Sequence, residues 1–262
     1  MPIKASERIL CLGIGGSRVK AILLNRDGSP AFAYRIVITP APPSPENMVA
    51  TVQELANLLD DFAFISVGFP GYVRKGIIRT APNLGTDRWA GVDLQQLLSR
   101  HFGKPVCVVN DADLLGLGIA RGRGLELVVT LGTGFGTALL LDGKLLPHLE
   151  IAHHPVHDSL DYDQYVGEAA RKSLDLATWN DRMLYLIDIL RRVTNYDTLY
   201  LAGGNARLLN IPLPENVRLS DNEEGIKGGA RLWSYQRQLV SCPEATPRLA
   251  GYHRMMDIRA MA

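Results

Sequence analysis

Two glycine-rich turns, each set between two apolar segments, constrain the fold of this chain more than any other feature of its sequence. The first turn is LGIGGS at residues 12–17, and the second is LGTGFG at residues 131–136. Apolar runs at 9–14 and 19–24 flank the first turn, and this pattern predicts a β-hairpin. Because the same hairpin recurs in the second half of the chain, we expect a duplicated α/β lobe with a cleft between the two copies.

The segments that follow each hairpin alternate between helical and strand-like periodicity, as in α/β proteins. Strands are expected at 31–38, 64–68, 106–109, 127–131, 137–141 and 198–202, and helices at 46–60, 94–100, 181–193 and 224–236. Asp142 and Gly143 predict a tight turn between two strands. We therefore expect one lobe at residues 1–112, a second lobe at 113–220, and a tail without clear periodicity at 241–262.

The charge of the chain gives no reason to expect nucleic acid or a membrane as a partner. Its formal net charge is +1, so bulk electrostatic attraction to either is small. No apolar run reaches the about 20 residues that a membrane-spanning helix needs. The first residues also lack the apolar core and the cleavage site of a signal peptide. We expect a cytoplasmic protein.

The three cysteines are Cys11, Cys107 and Cys242. Their odd number and irregular spacing indicate neither a disulfide framework nor a zinc site. Cys11 and Cys107 lie inside apolar runs, so we expect both to be buried, reduced thiols.

Both glycine-rich turns have the character of phosphate-binding loops. Glycines allow positive φ and a close approach of the backbone to an anion, and successive backbone N–H groups form a concave anion site. Lys20 would add a positive charge, and Ser17 and Thr133 would add hydroxyl donors. One such hairpin alone is usually only turn geometry, whereas two in opposed lobes favour a site that holds one polyphosphate chain. Neither turn matches the P-loop, and neither opens a helix as the dinucleotide-binding fingerprint does.

Polar residues follow the predicted strand at 106–109, namely Asn110, Asp111 and Asp113. Ligands of open α/β sheets bind beyond the carboxyl ends of the strands. Phosphoryl transfer needs a group that orients the acceptor hydroxyl and takes its proton. We therefore expect Asp111 to be the catalytic base and Asn110 to hydrogen-bond a sugar. Asp113 is expected to cap the next helix, a common role of aspartate.

Four of the six histidines fall within ten residues, at His148, His153, His154 and His157. Such density can indicate a metal site, but Pro155 argues against the regular helix that would place His153 and His157 on one face. We expect His148, His154 and His157 to be loop residues, with no metal bound.

Together these residues resemble the ROK family of sugar kinases, especially its polyphosphate glucokinase branch. The matching segments are IGGSRVK at 14–20, VGFPGYV at 67–73, RTAPNL at 79–84, VVNDAD at 108–113, TLGTGFGTALLLDGKLLP at 130–147, HLEIAHHP at 148–155, YLAGGNA at 200–206 and NEEGIKGGARLW at 222–233. The resemblance implies the two-lobed actin/hexokinase (ribonuclease H-like) fold with a central cleft. It also implies that a C-terminal helix at 221–240 packs back on the first lobe.

The resemblance further implies phosphoryl transfer from polyphosphate or ATP, accompanied by Mg²⁺, to glucose or a related sugar such as mannose or an amino sugar. Asp111 would activate the sugar hydroxyl. The implied sugar-binding residues are Asn83, Asn110, Asp111, Glu150 and His153, and the implied phosphate- or nucleotide-binding residues are Gly15, Gly16, Ser17, Gly132, Thr133, Gly134, Gly136, Gly203 and Gly204. A homodimer is expected by analogy.

The chain departs from the family pattern at Gly13, where these kinases normally carry the aspartate that helps to hold Mg²⁺. This departure leaves open a second hypothesis, a sugar-binding pseudo-kinase that is catalytically weak or inactive. No cysteine lies between Cys107 and Cys242, so the cysteine-rich zinc motif of many ROK proteins is not expected. Because the first turn begins near residue 13, we expect no N-terminal DNA-binding module.

Overall fold

The computed structural model describes residues 7–220 and 225–240, with the side chains of the last helix described as far as Ser234. The tail predicted at 241–262 lies outside the described residues. Within the described ranges, no helix combines the length and the apolar character that crossing a bilayer requires.

Strands and helices alternate along the chain. The strands are β1 (Ile9–Ile14), β2 (Arg18–Leu24), β3 (Arg35–Ile38), β4 (Phe64–Phe69), β5 (Val73–Arg74), β6 (Ile77–Ile78), β7 (Val106–Asn110), β8 (Leu125–Leu131), β9 (Phe135–Leu141), β10 (Lys144–Leu145), β11 (Pro155–His157), β12 (Leu160–Asp161), β13 (Thr198–Ala202) and β14 (Val217–Leu219). The helices are α1 (Pro45–Asn57), α2 (Thr86–Trp89), α3 (Leu94–Phe102), α4 (Asp111–Ile119), α5 (Tyr162–Val166), α6 (Glu168–Ser173), α7 (Leu176–Thr194) and α8 (Gly228–Val240), with a short 3-10 helix at Ala206–Leu208.

Two five-stranded sheets have related topologies, β3-β2-β1-β4-β7 and β10-β9-β8-β13-β14. In the first, β1 pairs antiparallel with β2 and parallel with β4. In the second, β8 pairs antiparallel with β9 and parallel with β13. The hairpin-then-parallel arrangement therefore occurs twice, as the two glycine-rich turns predicted. The central parallel strands are covered on both faces, which explains their nearly continuous apolar sequences.

The structure changes the bounds of several predicted elements. Helix α7 begins at Leu176, before the predicted start at residue 181, because the Asp175 side chain accepts a hydrogen bond from Thr178 N at 2.9 Å and caps the helix. The second glycine-rich turn is shorter than predicted, because Phe135 and Gly136 already pair with β8. Strand β3 at the sheet edge is likewise shorter than the predicted 31–38.

Helix α4 packs between the two sheets. A buried apolar cluster joins it to residues of both, including Cys11 of β1, Leu117 of α4 and Val128 of β8. Cys107 is buried in the same cluster, so the prediction of two buried thiols is confirmed. Burial raises the pKa of the Cys11 thiol to about 12. The thiol is therefore protonated at neutral pH and acts as an apolar packing group.

Helix α8 packs against α4, β1 and β4. The Ser66 hydroxyl on β4 donates to the Gly229 carbonyl at 2.6 Å and accepts from the Trp233 indole N–H at 2.8 Å. The Arg231 guanidinium donates to three carbonyl groups at the carboxyl end of α4, which lack partners within the helix. Helix α8 therefore fastens the end of α4 to the first sheet. The lobe boundary at residue 112 stays a prediction.

We predict that Gly228→Ala lowers the free energy of unfolding by about 3 kcal/mol. A Cβ at this position would overlap the carbonyl oxygen of Leu114 on α4, and a backbone atom cannot move aside as a side chain can. Urea denaturation of the two proteins measures the change. Ser234→Ala, at an exposed position of the same helix, is the control and should change stability by less than about 0.5 kcal/mol. Equal unfolding midpoints for the two variants would contradict the close packing of α4 and α8.

Candidate active site

Residues from both sheets line a cleft of about 250 Å³. The predicted residues that line it are Gly15, Gly16, Asn83, Asn110, Asp111, Gly132, Thr133, Gly134, Gly136, Glu150, His153 and Gly203. Lys20 lines an adjoining cavity of about 320 Å³, which shares Gly15 and Asp111 with the cleft. Ser17 and Gly204, both among the described residues, line neither cavity. Their phosphate contacts stay predictions.

The first glycine-rich turn is closed by a hydrogen bond from Gly15 N to Arg18 O at 3.0 Å. The Thr39 hydroxyl donates to Gly15 O at 2.6 Å and holds the turn from outside. A Cβ on Gly16 would lie 2.9 Å from the Cβ of Asn83. Glycine at residue 16 therefore allows Asn83, a predicted sugar ligand, to pack directly against a predicted phosphate turn.

The second turn is held by a carboxylate that the sequence analysis did not identify. Asp163 Oδ1 accepts a hydrogen bond from Phe135 N at 2.6 Å, and a Cβ on Gly134 would lie 2.8 Å from both carboxylate oxygens. Burial is the main reason why the pKa of Asp163 is raised. Gly203, at φ +92, approaches the Leu131 backbone too closely for a side chain.

Asn110 caps helix α4. Its Oδ1 accepts hydrogen bonds from Ala112 N at 2.7 Å and Asp113 N at 3.3 Å, and its Nδ2 donates to Gly71 O at 3.0 Å. The prediction that Asp113 caps this helix is wrong, because the Asn110 side chain performs that role. One amide hydrogen of Asn110 is left for a ligand, so its predicted sugar contact stays a prediction.

Asp111 is the first residue of α4 and faces the open cleft. Asp111 is exposed to solvent at the cleft, but the protein atoms packed around its carboxyl group partly desolvate it, and this raises its pKa to about 6. Nearby Glu150 raises the pKa further, whereas hydrogen bonds from backbone N–H groups and the charge of His148 oppose the shift. The carboxyl group is therefore a proton acceptor poised close to neutral pH, which suits a general base.

Glu150 and His153 line the same cleft. Burial alone would raise the pKa of Glu150, but a hydrogen bond from His148 and the charge of that ring lower it below its usual value. His153 is solvent-exposed, and its Nδ1 lies 3.4 Å from Asp161 Oδ2. Glu150 is thus an ionised acceptor, and His153 has a ring nitrogen free to meet a ligand from the solvent side.

His148 lies in a loop, as predicted, whereas His157 belongs to β11 and its loop prediction is wrong. The sequence analysis did not identify the buried position of the His148 side chain between two carboxylates. Its side chain is 3% exposed, and its Nδ1 lies 3.0 Å from Asp113 Oδ2 while its Nε2 lies 3.3 Å from Glu150 Oε2. The ring is not aligned for a linear hydrogen bond to Asp113, so that contact is an ion pair. Burial alone would lower the pKa of His148, but the two carboxylates raise it to about 9.

The residues present do not form a protein site for Mg²⁺. Across the described part of the chain, no cluster of three or more His, Cys, Asp or Glu side chains has an arrangement that could hold a metal ion. Gly13 provides no ligand where the family carries its aspartate, and the space in front of it is open, because a Cβ there would have no neighbour within 4 Å. The described side chains therefore have no assigned role as ligands of a metal ion.

Comparison with known proteins places this geometry among sugar kinases. A model of the ROK family matches residues 9–159. The polyphosphate glucokinase of Mycobacterium leprae (strain TN) is 30% identical over 238 residues, covering 84% of this chain and 72% of the relative. The polyphosphate glucokinase of Mycobacterium tuberculosis (strain H37Rv) is 27% identical, covering 84% and 88%.

Solved structures agree in fold. The inorganic polyphosphate/ATP-glucomannokinase from Arthrobacter sp. strain KM superposes with a TM-score of 0.77 at 28% identity, covering 88% of this chain and 99% of that one. A ROK family glucokinase from Streptomyces griseus, solved with glucose and AMPPNP, gives a TM-score of 0.68 at 18% identity, covering 86% and 98%. The expected actin/hexokinase-type fold is confirmed. Since the family model matches more than half of its residues, this chain belongs to the ROK family.

Proposed function

We propose that this chain is a hexose kinase that transfers a phosphoryl group from inorganic polyphosphate or ATP to glucose or a related sugar. One observation carries the proposal: Asp111, with a pKa of about 6, lies in the same cleft as both glycine-rich turns. The names of the most similar relatives and of the Arthrobacter structure support a glucokinase with polyphosphate among its donors.

The acceptor sugar occupies the part of the cleft between Asn83 and Glu150, with one hydroxyl directed at Asp111. Asp111 accepts the proton of that hydroxyl as the hydroxyl oxygen attacks the terminal phosphorus of the donor. The bond from that phosphorus to the bridging oxygen breaks, and ADP or polyphosphate shortened by one unit leaves. Glu150, kept ionised by His148, accepts hydrogen bonds from other hydroxyls of the sugar. Asn110 and His153 form further hydrogen bonds to the sugar. A stereoisomer such as mannose is a second candidate acceptor, since the Arthrobacter protein is named a glucomannokinase.

The donor lies against the two glycine-rich turns, whose backbone N–H groups face its negative charge. Lys20 and Arg18 line the adjoining cavity, and Asp111 is the only acidic residue among the described residues that line it. This wall is therefore positively charged and suits a chain of phosphates. We propose that Mg²⁺ enters the site as part of the donor, since residues 7–220 and 225–240 offer it no cluster of ligands.

Asp111→Asn should reduce kcat for glucose phosphorylation by about 100-fold or more, because an amide cannot take the hydroxyl proton. Glucose binding, measured by calorimetry, should change far less, since the amide still hydrogen-bonds the sugar. The assay runs with polyphosphate and with ATP as separate donors. A variant that keeps full turnover with either donor would show that Asp111 is not the base.

The pH profile of kcat/KM for glucose should fall on the acid side, with a midpoint of about 6. The raised pKa of Asp111 means that its carboxyl group is protonated below this pH and cannot act as a base. Above this pH it is ionised, and the rate should reach a plateau. A rate that stays constant down to pH 4.5 would contradict the raised pKa.

The pseudo-kinase hypothesis rests on Gly13 and predicts glucose binding without turnover. We expect Gly13→Asp to increase turnover at limiting Mg²⁺ by about tenfold, because the open space accommodates a carboxylate that can share the metal of the donor. Gly13→Asn, equal in size but uncharged, is the matched control. If the unaltered chain binds glucose but turns over only after Gly13→Asp, it is a pseudo-kinase. If both variants behave alike, the missing charge at residue 13 is unimportant.

A further inference from the structure

We infer that His148 is a positioning residue that fixes Glu150 toward the sugar by linking it to Asp113 at the start of the catalytic helix α4. The inference deepens the proposed function and depends on it for the identity of the ligand. His148 and Asp113 are both buried, and neither is proposed to contact the sugar or the donor directly. Their role is to hold Glu150 in place.

The geometry of the ring carries the first step. Nδ1 of His148 lies 3.0 Å from Asp113 Oδ2, and Nε2 lies 3.3 Å from Glu150 Oε2. A neutral imidazole has a proton on only one nitrogen, whereas the imidazolium has one on each. Two carboxylates on opposite edges of one ring therefore select the charged form. The raised pKa of His148, about 9, agrees with this assignment.

Burial makes the link rigid. The side chains of His148 and Asp113 are 3% and 4% exposed, and the Tyr72 ring stacks on His148 with centroids 6.0 Å apart and an interplanar angle of 22°. Burial raises the pKa of Asp113, which His148 opposes, and among the described residues Asp113 Oδ1 has no hydrogen-bond partner. The ionised form of this buried carboxylate therefore depends on His148 for compensation. Removal of the imidazolium would leave an unpaired buried charge.

The link fixes the positions of the Asp111 and Glu150 carboxylates relative to each other. Asp113 lies on the first turn of α4, two residues after Asp111, and Glu150 lies two residues after His148. Glu150 and Asp111 are thus joined through the two ion pairs of His148 and the first turn of α4. The titratable groups that face this chain are Asp111 from α4, Asp163 from α5, and His153, which lies near Glu150 on the solvent side.

The test compares His148→Gln with the unaltered protein by direct glucose binding and by steady-state kinetics. We expect Kd and KM for glucose to increase by about tenfold or more, because a charge-assisted hydrogen bond to Glu150 is lost, while kcat changes by less than about threefold. His154→Gln is the matched control, since that exposed histidine hydrogen-bonds the adjacent Pro155 carbonyl and is not among the residues that line the cleft.

Two further measurements separate positioning from simple stabilisation of the fold. In a Glu150→Gln background, His148→Gln should have little additional effect on glucose Kd, because its action passes through Glu150. In the unaltered protein, glucose affinity should decline as pH rises through about 9, where His148 loses its proton, and His148→Gln should remove this decline. A purely structural role would leave the effect of His148→Gln intact in the Glu150→Gln background.

The outcomes are distinguishable. Nitrogen NMR of the imidazole should show both ring nitrogens protonated at pH 7.5, and a neutral ring would overturn the inference without reference to any sugar. An unchanged glucose Kd in His148→Gln, with a lowered melting temperature, would overturn it as well and leave the proposed function standing. Failure of the unaltered protein to bind any hexose would contradict the proposed function and with it the assignment of Glu150.

Discussion

The close approach of backbone to backbone around α4 is the constraint on which the active site depends. A Cβ on Gly116 would lie 2.6 Å from Ala138 on β9, and a Cβ on Gly136 would lie 2.9 Å from the Cβ of Ala112. These glycines let the helix that begins with Asp111 lie directly against the hairpin that carries the second phosphate turn. Packed interiors deform little, so the separation between base and turn is set by van der Waals contact. Larger side chains at either glycine would move Asp111 away from the second glycine-rich turn.

The sequence predicted the parts of this molecule that local patterns determine. The glycine-rich turns and the apolar strands around them predicted the duplicated α/β arrangement, and the polar residues after the strand at 106–109 predicted where the cleft would lie. Some errors were local, such as the cap of α4 and the start of α7. The site residues that the sequence analysis missed depend instead on contacts between residues far apart in the chain. His148 pairs with Asp113, and Asp163 binds the amide of Phe135. Nothing in the spacing of these residues indicates either pairing. The first forms only when α4 packs against the second sheet, and the second only when α5 does.

The cleft holds carboxyl groups whose environments drive their pKa values in opposite directions. Asp111 is desolvated, and its pKa rises to about 6, whereas the pKa of Glu150 is lowered by the imidazolium of His148. One group is thus suited to take a proton and the other to remain an anion that accepts hydrogen bonds, a division of roles typical of enzymes that use acid–base chemistry. The positively charged wall with Lys20 and Arg18 stands on the donor side of the same centre. Basic side chains therefore line the adjoining cavity, whereas the carboxyl groups of Asp111 and Glu150 line the cleft.

The contact of Arg231 with the carboxyl end of α4 has a consequence for biosynthesis. The guanidinium and the helix that carries it come from near the end of the described chain, whereas α4 and its neighbours precede them by more than a hundred residues. During translation, the segments that form both phosphate turns leave the ribosome well before α8 does. Until α8 emerges, three carbonyl groups of α4 lack their protein donor and one face of β1 and β4 is uncovered. The packing around α4, β1 and β4 can therefore be completed only after the residues of α8 have left the ribosome.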